Sequence, residues 1–319
     1  MSDENSPNQN FEEYDDSTDS SEEEFIRQQQ EKQRLHLPRK SSTILIEKTK
    51  PAVLVEDKDI DVTEFDSDDE DLNASHISVY ETTEKYNVAI SQTRGGRNYN
   101  EDRTCAKSID PSNALFGVFD GHNGHEAATF CRDNIKQIYQ DQSFDLTKTF
   151  ETLHNEVAKT TGAGCTATVV AIKGDEAFFA NVGDSPAFVI KSDNSIEKMS
   201  YSHKTNDPSE EKMIVENGGV ILNLFNTKRV NGQIMVTRSI GDKALHPPLS
   251  STPSLYSIPL NEIKSIVLMS DGVTDALTDL EIRDVLVAES SVVTKAQTIR
   301  NIAYKGGSKD NICVVVIEL

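Results

Sequence analysis

From about residue 84 onward the chain alternates short apolar runs with polar segments, and the runs carry two distinct periods. Runs of four to eight residues rich in Val, Ile and Phe, closed by turn-forming residues, predict strands. They fall at 86–92, 114–119, 166–172, 177–182, 187–190, 232–239, 265–270 and 312–318. Helical spacing appears in Ala127, Cys131, Ile135 and Ile138, and again in Leu146, Phe150, Leu153 and Val157. Further helices are predicted over 208–217, closed by the C-cap signal Gly218-Gly219, and over 278–288 and 293–304. Between the first two strands, residues 94–103 read as a polar, glycine-containing segment. Strands come in runs with helices in pairs between them, an α+β order without strict βαβ alternation. It predicts a central antiparallel β-sandwich flanked by helices on both sides.

Residues 1–82 have a different texture. Residues 1–80 hold 22 acidic against 8 basic side chains, two-thirds of the net charge of −21. Low hydrophobicity and high charge predict an acidic, mostly disordered extension over 1–82, ahead of a folded domain over 83–319. Its apolar islands, Ile44-Leu45-Ile46 and Val53-Leu54-Val55, are either docking segments or plain spacer. Asp57, Asp59 and Asp61 imitate the start of a calcium loop, but Val62 stands where glycine is required and Asp68 where glutamate is, so calcium is not expected there. Ser20, Ser21, Ser41 and Ser67 lie in short patterns suited to phosphorylation.

The acidic balance excludes a nucleic-acid footprint. Four dispersed cysteines without a Cys-x-x-Cys pair indicate neither a zinc site nor a disulfide framework. With no leader-like segment and no stretch of membrane-spanning length, the expectation is a monomeric cytoplasmic protein, with nuclear entry open and no membrane partner.

The apolar runs end in carboxylates. Run 114–119 meets Asp120-Gly121-His122, 177–182 meets Gly183-Asp184-Ser185, 265–270 meets Asp271-Gly272, and Asp310-Asn311 precedes the last run. A carboxylate at the mouth of a buried strand is poorly placed for packing and well placed to hold a cation. Hard divalent cations take several oxygen ligands, so four such ends point to a polynuclear Mg²⁺ or Mn²⁺ site.

In order along the chain stand Arg97-Asn98-Tyr99-Asn100-Glu101-Asp102, Asp120-Gly121-His122, Gly164-Cys165-Thr166-Ala167, Asn181-Val182-Gly183-Asp184-Ser185, Thr237-Arg238-Ser239-Ile240-Gly241-Asp242, Ser270-Asp271-Gly272 and Gly307-Ser308-Lys309-Asp310-Asn311. This ordered set resembles the type 2C protein phosphatases, the metal-dependent Ser/Thr phosphatase family, over roughly residues 84–319. The resemblance implies hydrolysis of phosphoserine and phosphothreonine in protein substrates at a two-ion Mn²⁺ or Mg²⁺ centre. Asp120 would bridge both ions, with the Gly121 carbonyl as a ligand. Asp271 and Asp310 would hold one ion, and Glu101 the other, with Asp102 nearby, largely through water. Asp184 and Asp275 match positions of a weaker third ion. Arg97 would bind phosphate, and His122 would be the general acid after attack by a hydroxide bridging the ions.

Competing readings stand beside these. Asp184 also suits a structural turn and Asp275 a helix N-terminus. Asp242 recurs in the family without a clear direct role, His125 reads as an exposed helix start and His203 as structural. Cys165 stands where the family usually has serine, and Pro186 where arginine is common, which bears on the hairpin near Asp184. The stretch 243–253 occupies the place of a mobile flap and is short. A scaffold keeping the fold without catalysis is the alternative function. The acidic tail, finally, could mimic a phosphorylated substrate or gather Mn²⁺.

Overall fold

A computed structural model describes residues 77–82, 86–110 and 112–319. Readings that fall on residues 1–76, including the acidic clusters, the apolar islands, the calcium-loop look-alike and the candidate phosphorylation sites, lie outside the described residues.

Two antiparallel sheets face each other. One has six strands in the order β1 (Ile77–Thr82), β2 (Asn87–Thr93), β16 (Ile312–Glu318), β15 (Ile263–Met269), β9 (Ala187–Lys191), β10 (Ile196–Lys198). The other has five, in the order β14 (Ser254–Pro259), β8 (Glu176–Val182), β7 (Ala167–Lys173), β4 (Asn113–Phe119), β3 (Arg103–Asp110). Their inner faces share one core that includes Ile90, Phe116, Val118, Val170, Ile172, Val189, Ile266, Leu268, Val315 and Ile317.

The outer faces are covered as well, which explains why several strands are apolar throughout rather than alternating. In β16, Cys313, Val315 and Ile317 point into the sandwich. Ile312, Val314 and Val316 point to helices α4 (Asp271–Thr274), α5 (Asp279–Val287) and α6 (Val292–Lys305). The outer face of the five-stranded sheet buries α1 (Glu126–Asp141) and α2 (Leu146–Thr160) through Cys131, Ile135, Phe150, Leu153 and Val157. Local signals start the helices. Asp145 caps α2 by accepting from Lys148 N, Asp207 caps α3 (Pro208–Glu216), Thr278 and Glu281 form a capping box on α5, and Ser291 caps α6. After α3, Gly218 adopts φ +84° as its C-cap reading requires.

Four differences from the sequence reading have physical causes. Residues 77–82 form β1, paired with β2 from Ile77↔Gln92 to Thr82↔Asn87, so the sheet begins inside the stretch read as disordered. β3 escaped notice because its apolar residues are interrupted by Lys107 and Ser108. Residues 232–239 make isolated bridges only, Val230↔Ile234, Lys204↔Val236 and Arg238↔Ser250, instead of a strand. The stretch 243–253 packs Leu245 and Leu249 against Ile214 of α3 and Val230 of β12 (Thr227–Val230), which pairs with β11 (Ile221–Leu224). Among the described residues no helix is long and apolar enough to cross a membrane.

Candidate active site

Strand ends from both sheets bring the carboxylates to one end of the sandwich. β4 and β8 deliver Asp120 and Asp184, the turn before β3 delivers Glu101 and Asp102, β15 runs into Asp271, and Asp310 precedes β16. Close backbone approaches fix these ends. Asp120 N donates to Thr166 Oγ1 at 3.3 Å and Thr166 N to the Asp120 carbonyl at 2.9 Å. Gly121 passes so near residue 101 that a Cβ there would sit 2.5 Å from the Glu101 carbonyl oxygen.

The cluster is electrostatically uncomfortable. Asp102 is 1% exposed, and neither of its carboxylate oxygens has a hydrogen-bond partner. Burial pushes its carboxyl up to about 7, and Asp310 adds to the shift. Burial also raises Asp120 well above the carboxylate range, reinforced by Asp102, Asp271, Asp184 and Asp310. Asp271 rises to about 8, again through burial first and then Asp184, with Asp275 and Asp310 adding to it and Lys204 resisting.

Two cationic side chains flank these acids. Arg97 Nη2 donates to Asp310 Oδ2 at 2.6 Å, with the arginine side chain 54% exposed. Lys204 Nζ donates to Asp184 Oδ2 at 2.8 Å. Burial works against the Arg97 charge, and Asp310 outweighs it with help from Asp120 and Glu101, so its proton is held more firmly than usual. Among the described residues no three His, Cys, Asp or Glu side chains converge tightly enough to enclose a cation as they stand. Asp310 is turned to Arg97, Asp184 to Lys204, and Glu101 Oε1 accepts from Gly124 N at 2.6 Å. The donors nevertheless fit hard divalent ions. They are all oxygens, and the unpartnered Asp102 carboxylate and the raised Asp120 and Asp271 are relieved by positive charge.

The remaining expected residues separate. His122 is half-buried, its Nε2 2.7 Å from Asp242 Oδ2. Asp275 is exposed at the C-terminal end of the four-residue helix α4, one turn from Asp271. Its reading as a helix N-terminal acid is therefore incorrect, since Asp271 takes that place. His125 is exposed at the start of α1, and His203 is fully buried between the Gly183 carbonyl (3.0 Å) and Ser254 Oγ (2.9 Å), as expected of a structural histidine. Burial first, then the Arg238 charge, lowers His203 to about 4. Cys165 is buried, its Sγ 3.8 Å from Cys131 Sγ, and all four cysteines are free thiols. The expected hairpin at Pro186 is absent, because β8 and β9 belong to opposite sheets and Pro186 lies in the crossing between them. Its carbonyl accepts from Met269 N at 3.0 Å, while Thr168 Oγ1 donates to the Ser185 carbonyl at 2.6 Å.

Sequence reasoning missed Lys204, Asn311 and the role of Asp242. Asn311 lies in a quoted motif, yet its work is three-dimensional. Its Oδ1 accepts from Glu101 N at 2.8 Å, and its Nδ2 donates to the carbonyls of Arg94 (2.9 Å) and Tyr99 (3.0 Å). One buried amide thus ties the Arg97 loop and Glu101 to Asp310. Asn311→Ala strands three backbone groups and is expected to cost about 1–3 kcal/mol of stability, read as a lower denaturant midpoint.

Comparison with known proteins bears on the family and the fold. The family model described as "Protein phosphatase 2C" matches residues 86–312. A probable protein phosphatase 2C, member 13, mitochondrial, of Oryza sativa subsp. japonica is 30% identical over 250 residues, covering 73% of this chain and 68% of its own. The solved structure of a C. elegans sex determining protein superposes with TM-score 0.68 at 25% identity, covering 75% of this chain and 66% of the other. A serine-threonine phosphatase 2C from Toxoplasma gondii superposes with TM-score 0.68 at 20% identity, over 76% of this chain and 98% of its own, and shows the shared fold. Matched over 86–312 by the family model and along most of its described length by these relatives, the chain belongs to the protein phosphatase 2C family of serine/threonine protein phosphatases.

Proposed function

We propose that this chain hydrolyses phosphoserine and phosphothreonine in protein substrates, as a monomer and with two Mn²⁺ or Mg²⁺ ions. The observation that carries the reading is the set of buried carboxyls Asp102, Asp120 and Asp271, each raised by burial first and then by neighbouring carboxylates, next to an exposed arginine. A structural core gains nothing from such a group, whereas a cation site requires it. When bound, the cations supply charge neutralisation at the phosphoryl oxygens and a water of lowered pKa as nucleophile.

The protein's own residues do the rest. Asp120, the Gly121 carbonyl, Asp271, Asp310, Glu101 and Asp102 would hold the ions. Arg97 presents a planar guanidinium at the open face and grips two phosphoryl oxygens together, a geometry lysine lacks. Asp310 keeps that guanidinium over the site. His122 gives a proton to the serine or threonine oxygen as the P–O bond breaks, so the product leaves as an alcohol rather than an alkoxide. A third ion at Asp184 and Asp275 requires the Lys204–Asp184 pair to open first.

The test is turnover of a phosphothreonine peptide and of p-nitrophenyl phosphate by the full chain in Mn²⁺, in Mg²⁺ and in EDTA. Turnover in either metal and none in EDTA is the expected result. A folded protein inactive in both metals would leave a binding scaffold as the function.

A further inference from the structure

Asp242 had no role in the sequence reading, yet the backbone around it is arranged for a single contact. A small three-stranded sheet, β5 (Gly121–His122), β6 (Gly164–Cys165) and β13 (Ile240–Gly241), pairs His122 with Gly164 and Gly164 with Gly241. Asp242 follows directly, in the left-handed region at φ +49°, which costs energy for a residue other than glycine. Its N–H donates to the Ala163 carbonyl at 3.1 Å. Gly164 must lack a side chain, because a Cβ there would lie 2.2–2.4 Å from the Asp242 carboxylate atoms. Strained backbone and a forced glycine converge on one buried carboxylate, 3% exposed, set against the ring of His122.

The hydrogen bonds around that carboxylate fix proton positions. Ser239 Oγ donates to Asp242 Oδ2 at 2.6 Å, and the same oxygen faces His122 Nε2 at 2.7 Å. Ser239 Oγ, having given its proton, accepts from His246 Nε2 at 3.2 Å. His246 packs against His154 with ring centroids 4.2 Å apart and planes inclined at 47°. Burial, then the charge of His154, lowers His246 to about 4, so it serves as a neutral Nε2–H donor. A carboxylate oxygen accepts only, so Nε2 of His122 carries a hydrogen, and Nδ1 is the nitrogen left for other chemistry.

We infer that Asp242, braced by Ser239 and His246, is a positioning residue that fixes the ring orientation and tautomer of His122, so that the proton passed to the leaving oxygen travels through Nδ1. The inference rests on the phosphatase reading above, with His122 as proton donor. It extends that reading to four residues beyond those assigned to the site: Gly164, Ser239, Asp242 and His246.

The test compares substrates that differ in their need for a proton. A threonine alkoxide needs one to leave, and p-nitrophenolate does not. In the full chain with saturating Mn²⁺, Asp242→Asn is expected to lower kcat on a phosphothreonine peptide on the order of 10²-fold, leaving p-nitrophenyl phosphate turnover little changed. In a His122→Ala background the same substitution should add nothing. Selective ¹⁵N labelling of histidine gives a readout independent of turnover. The neutral His122 ring should report Nε2–H in the wild type and a mixture of tautomers in Asp242→Asn.

Equal losses on both substrates, an undiminished effect in the His122→Ala background, or an unchanged ring spectrum overturns the inference. If His122→Ala itself spares the peptide, the proton-donor reading fails, while the ring spectrum still decides whether Asp242 sets the tautomer. If Asp242→Asn does not fold, Ser239→Ala decides, because it removes one brace and leaves the carboxylate. A peptide-selective loss smaller than that of His122→Ala supports the inference, and an unchanged substrate ratio overturns it.

Discussion

Asp120→Asn is expected to lower peptide dephosphorylation by about 10³-fold or more at saturating Mn²⁺, without unfolding the protein. The size follows from position. Asp102, Asp184, Asp271 and Asp310 all bear on Asp120, so it is where the charges of the site meet. Its backbone is anchored on both sides by Thr166, and neither of those hydrogen bonds uses its carboxylate. Asparagine keeps the shape and the turn and removes only the charge that a pair of cations would share. Lewis-acid stabilisation of phosphoryl transfer is worth several kcal/mol, and each 1.36 kcal/mol is a factor of ten. Initial rates on a phosphothreonine peptide, with circular dichroism as the folding control, make the measurement. A variant within tenfold of wild type would move the centre of the site away from Asp120.

How much of this was legible in the sequence differs from feature to feature. The fully apolar run before the C-terminus declared a strand covered on both faces, and β16 is that strand. Asp120, Asp184, Asp271 and Asp310 were visible because each interrupts a buried run with a charge, a local signal. Arg97 and His122 were reachable through family motifs, not through any periodicity. What stayed hidden was pairwise geometry between distant segments. Lys204 is one lysine among many until β8 and the segment before α3 bring it 2.8 Å from Asp184. Asp242 meets His122 across 120 residues, and Asn311 reaches Glu101 across 210. β1 lacked a signal of its own because it lies beside a stretch of dense charge and takes its register from β2. The misread strand at 232–239 had suitable β-formers, but a strand needs neighbours, and only isolated bridges were available there.

In EDTA the protein should lose stability as pH rises from about 4 to about 8, and Mn²⁺ should restore it. Folding raises Asp102 from an ordinary 3.8 to about 7 and Asp271 to about 8. Between those values and 3.8 the folded chain holds protons that the unfolded chain has already released. The stability contributed by these protons is complete below the unfolded pKa and is lost as pH climbs through the folded one. For Asp102 alone the difference corresponds to on the order of 4 kcal/mol at 1.36 kcal/mol per unit. Its carboxylate is fully buried, so solvent screening does little to reduce it. A divalent cation binds the folded arrangement and not the dispersed chain, so it favours folding and supplies the positive charge that the protons supplied at low pH. Urea unfolding at pH 5 and pH 8, each with EDTA and with Mn²⁺, separates these effects. The midpoint in EDTA should fall from pH 5 to pH 8, Mn²⁺ should raise it most at pH 8, and Asp102→Asn should raise it in EDTA at pH 8 while weakening the response to Mn²⁺. A midpoint independent of pH in EDTA would mean that the carboxylates are compensated within the protein, and would remove the physical reason for placing cations among them. The opposite effects expected of one substitution on stability and on metal response distinguish a group kept for function from one kept for the fold.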